Sequence, residues 1–250
     1  MNKERRTFLR FALAATASIA VATLALVALA ANSAKKPSMK IGIIGSGKIG
    51  GTLGELWVKA GHEVLFSSRH PDELQGLVKR LGSRARAGTP REAVTFGEVI
   101  LISVPYGALP QIGRDLAADL SGKVVLETGN PIPRRDGQMA EEARANGTGV
   151  ASAKFLPGSR LVRAFNTVEY DQLRSEAHRA GERVGIPLAG DDKAALEIAS
   201  RLVEDAGFEP VVVGSLAHAR DFDVGTPVYK KALTARELRQ SLGINPTSKP

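Results

Sequence analysis

The sequence contains no cysteine. That excludes disulfides, thiolate metal sites and cysteine nucleophiles. It leaves the redox compartment open, and it suits a chain that enters an oxidising one. Aromatic residues make up only 5% of the chain, too few for a platform on which bases stack. Histidine is scarce as well. His62, His70, His178 and His218 stand alone, none three to five residues from another, so no zinc site and no other metal is expected. A G-x-S-x-G nucleophile elbow is also missing, which removes the commonest hydrolase signature. What is present is an ordinary globular mixture, 43% hydrophobic and 24% charged over 250 residues. This length allows one domain with a sizeable core, or one domain with a small appendage.

The net charge of +8 is unevenly spread. Residues 1–40 hold Lys3, Arg5, Arg6, Arg10, Lys35, Lys36 and Lys40 against Glu4, a net of +6, which leaves +2 for the remaining 210 residues. The basic excess surrounds a targeting-type segment and does not mark a binding face, so no nucleic-acid partner is expected.

That segment places Arg5-Arg6 before Phe8-Leu9, then an alanine-rich uncharged run from Phe11 to Ala31, with Ala28 and Ala30 as small residues for a signal peptidase. Basic, apolar and small-residue regions in this order read as a secretory signal over residues 1–34. The paired arginines resemble a twin-arginine signal, which implies export and a periplasmic location. An uncleaved membrane tether through residues 11–31 is the alternative, since that run is long enough to span a bilayer.

From Met39 the pattern is strand, glycine turn, helix, repeated. Ile41–Ile44 is an apolar run of the kind expected in a strand buried on both faces. A helix is expected over Thr52–Ala60, stopped by Gly61, then a strand over Glu63–Phe66 and a helix over Pro71–Leu81. Further strands are expected at Arg84–Ala87, Glu98–Val104, Lys123–Leu126, "RLVRAFN", "GIPLAG" and "FEPVVVG", with a helix over Asp192–Ala206 between the last two. The fold class this predicts is α/β, a Rossmann-type doubly wound, mostly parallel sheet with a small C-terminal α/β extension. A dinucleotide-binding unit is expected over residues 39–145. An irregular joint over 146–160 leads into an extension, 146–250, that completes the sheet and cleft.

Gly45-Ser46-Gly47-Lys48-Ile49-Gly50 fits G-x-G-x-x-G directly after a strand and at the opening of a helix. Gly45 permits the tight turn, Gly47 lets the backbone approach a pyrophosphate, and Gly50 allows close helix–strand packing. About twenty residues further on, an NAD site carries a carboxylate for the ribose 2′-hydroxyl. This chain has Ser67, Ser68 and Arg69 there. Hydroxyls and a guanidinium donate to a phosphate, so the cofactor expected is NADP, or NADPH when reduced. The competing reading leaves Arg69 capping a loop in solvent.

The chain resembles the NADPH-dependent deazaflavin (coenzyme F-420) reductase family, and equally the cytosolic NADPH-binding domain of the six-transmembrane metalloreductases. The likeness covers most of residues 39–220 and rests on "IGIIGSGKIG", "SSR", "VPYGAL", "LVRAFNT", "IPLAGDD" and "DAGFEPVVVGSL". It implies that Ser68 and Arg69 meet the 2′-phosphate, and that Val104, Pro105 and Tyr106 lie beside the cofactor near the nicotinamide. It implies an opposite wall of Ala164, Phe165, Asn166 and Thr167, with Tyr106, Asn166 and Thr167 forming the pocket for nicotinamide and substrate. The family often carries a further lysine after the Ser-Arg pair; here His70, Pro71 and Asp72 follow.

The expected activity is hydride transfer between NADP and a flat small-molecule redox acceptor, a deazaflavin or flavin as second redox partner. Such a transfer needs no metal or nucleophile, because the cofactor carries the chemistry and the protein orients two rings. No catalytic residue is assigned with certainty. Two readings compete: an NADP-binding sensor or electron-delivery module without turnover, and a small imine or ketone reductase with Tyr106 as proton donor. Asp191-Asp192 reads as a helix cap in preference to a metal pair. A homodimer is compatible with the sequence.

Overall fold

The computed structural model describes residues 37–244. The expected signal over 1–34 and the expected tether over 11–31 lie outside the described residues. Among the described residues no helix is long and apolar enough to cross a membrane.

β1 (Lys40–Ile44) enters a glycine turn and α1 (Lys48–Ala60). Gly61, at φ 101°, ends the helix with its N–H on the carbonyls of Trp57 and Val58. β2 (Glu63–Ser67) is followed by a 3₁₀ turn (Pro71–Leu74) that runs into α2 (Gln75–Leu81), where a single helix was expected. β3 (Ala85–Gly88), α3 (Pro90–Phe96), β4 (Val99–Ile102), α4 (Leu109–Leu120) and β5 (Val124–Glu127) complete the first half. α3 opens with a capping box between Thr89 and Glu92 and has Pro90 in its first turn.

Short helices α5 (Pro133–Asp136), α6 (Gln138–Asn146) and α7 (Thr148–Phe155) lead to β6 (Arg160–Arg163). α8 (Tyr170–Ser175), β7 (Gly185–Gly190), α9 (Lys193–Asp205), β8 (Glu209–Gly214), a 3₁₀ segment (Leu216–Phe222) and α10 (Ala235–Ser241) follow. The irregular joint expected over 146–160 is therefore corrected to α7 and the start of β6. Its sequence, TGVASAKF, has small residues where helical periodicity would need large ones. Gly149 explains why: a Cβ there would lie 2.3 Å from the Leu216 carbonyl oxygen. Tertiary packing, not an apolar stripe, holds this helix in place.

One eight-stranded sheet has the order β3-β2-β1-β4-β5-β6-β7-β8. All neighbours are parallel except β6 and β7, which pair antiparallel through Val162–Gly190 and Arg163–Ala189. The chain winds outward from β1 to β3, then returns to lay β4 on the other side of β1. This reversal is a topological switch point, and open α/β sheets hold ligands in the crevice at the strand carboxyl ends beside it.

Alternate strand residues feed two cores. Ile41, Ile43, Leu101 and Leu126 join Trp57, Phe66, Phe165, Leu202 and Phe208 on one face. Ile44, Ile100, Ile102 and Val125 join Val94, Leu116 and Leu161 on the other. A sheet covered on both faces needs apolar residues at every position, which is why β1 and β4 read as continuous runs. The Trp57 indole N–H donates to the Leu202 carbonyl at 2.8 Å and ties α1 to α9.

Candidate functional site

The three turn glycines are under different constraints. Gly45 sits at φ 94°, and a Cβ there would lie 2.3 Å from the Ser103 carbonyl oxygen. A Cβ on Gly50 would lie 2.2 Å from the Gly45 carbonyl oxygen. Around Gly47 a Cβ would meet nothing within 4 Å. Protein packing thus demands glycine at 45 and 50, while the space beside Gly47 is open toward the cleft. Gly47 caps α1 with no side-chain hydrogen bond, and the first turn of that helix has no acidic residue. Free N–H groups and a positive dipole end therefore face that space, a ready anion site. Ser46 lies in the same turn, its Oγ buried with no hydrogen-bond partner.

The Ser46 N–H donates to the Ser67 carbonyl at 3.1 Å, which holds the end of β2 beside the turn. The three residues there divide. Ser67 is fully buried and its hydroxyl donates to the Ile43 carbonyl at 2.6 Å, so it faces the sheet. Ser68 Oγ accepts from the His70 N–H at 2.8 Å, leaving its O–H to donate. Arg69 is exposed and has no hydrogen bond or ion pair to any described residue. Its guanidinium is available to an anion at the end of β2.

Beyond β4, Val104 is half-buried and Pro105 exposed, as expected for a strand carboxyl end. Tyr106 departs from expectation. It is completely buried, and its hydroxyl is 3.1 Å from Ser152 Oγ and 3.4 Å from the Thr148 carbonyl, both in α7. Burial pushes the phenol up to about 12. The side chain expected in the pocket is directed into the core instead, because α7 offers it polar partners. A proton donor facing the cleft at Tyr106 is thereby corrected.

A cavity of about 360 Å³ opens between the glycine turn, the end of β5, the end of β6 and the chain near Tyr229. Lys48, Ile49, Asn130, Phe165, Asn166 and Lys230 are among the residues that line it. Ala164 is buried behind it, and Thr167 is 3% exposed. Phe165 and Lys230 both have φ of 59°, a left-handed conformation rare for such side chains. Strain of this sort is tolerated where surroundings over-determine it, often at ligand sites. Phe165 is held edge-on by Trp57 and Phe208, each with ring centroids 6.3 Å away. The Lys230 N–H donates to the Thr167 carbonyl at 2.8 Å. At the rim, the Lys48 ammonium lies 4.7 Å from the centre of the Tyr170 ring, and Lys230 pairs with Glu169 at 2.5 Å.

The pocket amides are oriented unambiguously. Asn130 Nδ2 donates to the Asn166 main-chain carbonyl at 2.8 Å, and Asn166 Nδ2 donates to the Phe222 carbonyl at 3.2 Å. A carbonyl only accepts, so both side-chain nitrogens are identified. Both Oδ1 atoms are buried without partners.

Directly beneath lies an ion cluster that sequence reasoning missed. Arg163 is fully buried and Glu127 is 1% exposed. Arg163 Nη1 donates to Glu127 Oε2 and, at 2.7 Å, to the Gly129 carbonyl. Its Nη2 is 3.5 Å from Asp223 Oδ1. Ser152 and the Gly129 N–H also donate to Glu127. Burial pushes the Glu127 carboxyl above its ordinary value, against the pull of Arg163 foremost and of these other donors. The available signal was a charge at the end of two apolar strands, "VVLE" and "RLVR". Asp191 and Asp192 behave as caps: Asp192 accepts from the Ala195 N–H and pairs with Arg160 at 2.8 Å, and Asp191 accepts from the Leu216 N–H at 2.9 Å.

Comparison with known proteins bears out both resemblances. Residues 40–131 match the family model described as NADP oxidoreductase, coenzyme F420-dependent. The metalloreductase STEAP3 of Rattus norvegicus is 31% identical over 194 residues, 75% of this chain. The chain spans only 36% of that relative's length. Among solved structures, a hypothetical protein from Sinorhizobium meliloti is 25% identical with a TM-score of 0.66, covering 80% of this chain and 97% of its own. A protein assigned as an F420-dependent NADP-reductase from Arthrobacter sp. FB24 has a TM-score of 0.65 at 19% identity, covering 79% of this chain and 100% of its own. An imine reductase from Myxococcus stipitatus in complex with NADP+ has a TM-score of 0.52 at 21% identity, covering 74% of this chain and 57% of its own. The last two establish the fold, an α/β sheet of the Rossmann type.

Proposed function

We propose that this protein is an NADPH-dependent oxidoreductase that moves hydride between NADP and a flat acceptor, a deazaflavin or a flavin. The observation that carries the reading is the open space at Gly47, where a Cβ would meet nothing, set between an uncapped helix N-terminus and an unpaired Arg69. A pyrophosphate fits the first feature and a 2′-phosphate the second. NADP bound there supplies the hydride or receives it.

The chain's own work is positioning. The α1 N-terminus and the glycine turn hold the pyrophosphate, and Ser68 and Arg69 select the phosphorylated ribose. Phe165 and Asn166, at the end of β6, form one wall of the cavity beside the turn. Tyr170, Tyr229 and Lys230 enclose its mouth, which limits water around the reacting rings. The buried position of Tyr106 supports hydride transfer to a ring over imine or ketone reduction, because the phenol expected to protonate a product there is bound to Ser152 in the core.

We also propose that residues 1–34 direct export by a twin-arginine route. Support comes from Arg5-Arg6 before Phe8-Leu9 and the small residues Ala28 and Ala30. Replacing both arginines with lysine should leave the protein in the cytoplasm; undiminished export of that variant would exclude the route.

The activity is tested by titrating the full chain with NADPH and NADH, then following NADPH oxidation with a deazaflavin, a flavin, a ferric chelate and a quinone. Turnover confined to the tricyclic acceptors is expected. Tight NADPH binding with no turnover on any acceptor would favour the sensor reading instead.

A further inference from the structure

Arg163 lies under the pocket, touching the segment that carries Asn130 and the one whose carbonyl holds Asn166. On one side it donates to the Gly129 carbonyl at 2.7 Å, next to Asn130. On the other it faces Asp223 at 3.5 Å, next to Phe222. The Phe222 carbonyl is the group that accepts from Asn166 Nδ2, and Asn130 Nδ2 in turn donates to the Asn166 carbonyl. Asp223 is fixed from a second direction, since its Oδ2 accepts from the Thr148 N–H at 3.0 Å. Four separate stretches of chain are thus locked through one guanidinium: the ends of β5 and β6, the start of α7 and the 3₁₀ segment before Asp223.

A buried ion cluster is costly to assemble and seldom justified by stability alone. The Asn130 and Asn166 Oδ1 atoms, buried without partners, add the cost of their desolvation. Both costs fall at the same place. We infer that the Arg163–Glu127–Asp223 cluster is the positioning element of the cavity: it holds the Asn130 and Asn166 amides with their donors committed to main-chain carbonyls and their oxygens kept for N–H groups of the bound rings. A nicotinamide carboxamide or the imide N–H of a flavin-type ring carries such donors; a quinone carries none. The inference rests on the proposed hydride transfer for its ligand, but not for its mechanical part.

Asp223→Asn is the sharpest probe. An amide there can keep its oxygen on the Thr148 N–H, but the end facing Arg163 becomes an N–H donor and the ion pair is lost. Side-chain amide NMR on the full chain reads the effect directly, with the Asn166 resonance assigned by Asn166→Ala. The α3 cap gives an internal control, because the Thr89 N–H donates to Glu92 beside β3, remote from β6 in the sheet. In Asp223→Asn the Asn166 amide resonance should move and lose exchange protection while the Thr89 amide stays put. An unmoved Asn166 amide, or a Thr89 signal that shifts with it, would overturn the inference.

Kinetics supplies the second readout. Asp223→Asn should lower kcat with a flavin acceptor by about tenfold or more, the scale set by misplacing a reacting ring. NADPH affinity, set at the glycine turn and Arg69, should change by less than about twofold. Adding Asp223→Asn to Asn166→Ala should then have little further effect on kcat, because both remove one interaction. Independent, multiplicative losses would contradict action through Asn166. Glu127→Gln keeps the shape of the cluster and should behave as Asp223→Asn does; full kcat in both variants would also sink the idea. A wild-type chain that binds NADPH without turnover defeats the functional reading alone, since the amide resonances still decide the positioning claim.

Discussion

Gly47 and Gly50 lie three residues apart in one turn, yet only one is required by the protein. A Cβ at Gly50 would stand 2.2 Å from the Gly45 carbonyl oxygen, whereas at Gly47 it would touch nothing within 4 Å. Gly50→Ala should therefore destabilise the fold by about 1–3 kcal/mol, the usual cost of overpacking. Gly47→Ala should leave denaturant stability unchanged and weaken NADPH by about tenfold or more, because the methyl enters the space the pyrophosphate needs. Paired denaturation and nucleotide titrations separate the two. A Gly47→Ala variant that binds NADPH normally would mean the pyrophosphate lies elsewhere.

Arg69 and Ser68 bear on the choice between nucleotides. Replacing Arg69 with alanine should weaken NADPH by about 1.5–3 kcal/mol, the range for a hydrogen bond to a charged group. NADH affinity should hardly move. Equal losses for the two nucleotides would show that Arg69 does not reach a 2′-phosphate.

Tyr106→Phe tests the burial of the phenol. Ser152 loses a partner, so stability should fall by about 1 kcal/mol. The pH profile of kcat/KM should keep its shape, because this hydroxyl handles no proton of the reaction. Loss of a titrating limb in the variant would restore Tyr106 as a proton donor.

His62 gives a pH dependence of stability. Its Nδ1 accepts from the Met39 N–H at 3.0 Å, so Nε2 carries the proton and meets Asp205 at 3.1 Å. Burial lowers the imidazole below its ordinary value, and Asp205 only partly offsets this. The geometry agrees, since a proton on Nδ1 would displace the Met39 bond. The unfolded chain therefore takes up the proton first as pH falls. Stability should be full above about pH 6.5 and drop as pH falls from there through the lower folded value. His62→Gln should flatten this slope in urea melts between about pH 8 and 5.5. A wild-type protein that gains stability over that fall would show the Asp205 ion pair to be dominant.

The elements that were legible in the sequence are those whose signals are local. β1, the glycine turn and α1 could be read because a short apolar run meets glycines needed for close approach. The Asp192 cap could be read because it acts within three residues. α7 could not, because its small residues answer to the Leu216 carbonyl some seventy residues away. The direction of Tyr106 depends on that same helix, so its error follows from the first one. In the site, the pyrophosphate half was legible and the far wall was not: Lys230 reaches Thr167, and Asp223 reaches Arg163, only through the completed fold.

The most direct measurement is the rate of NADPH oxidation by the full chain with a deazaflavin or flavin acceptor, set beside the same rate with NADH. NADPH should be used at least about tenfold more efficiently, as a phosphate-reading arginine requires. Equal or better use of NADH, or no oxidation of either nucleotide, would contradict an NADPH-dependent oxidoreductase.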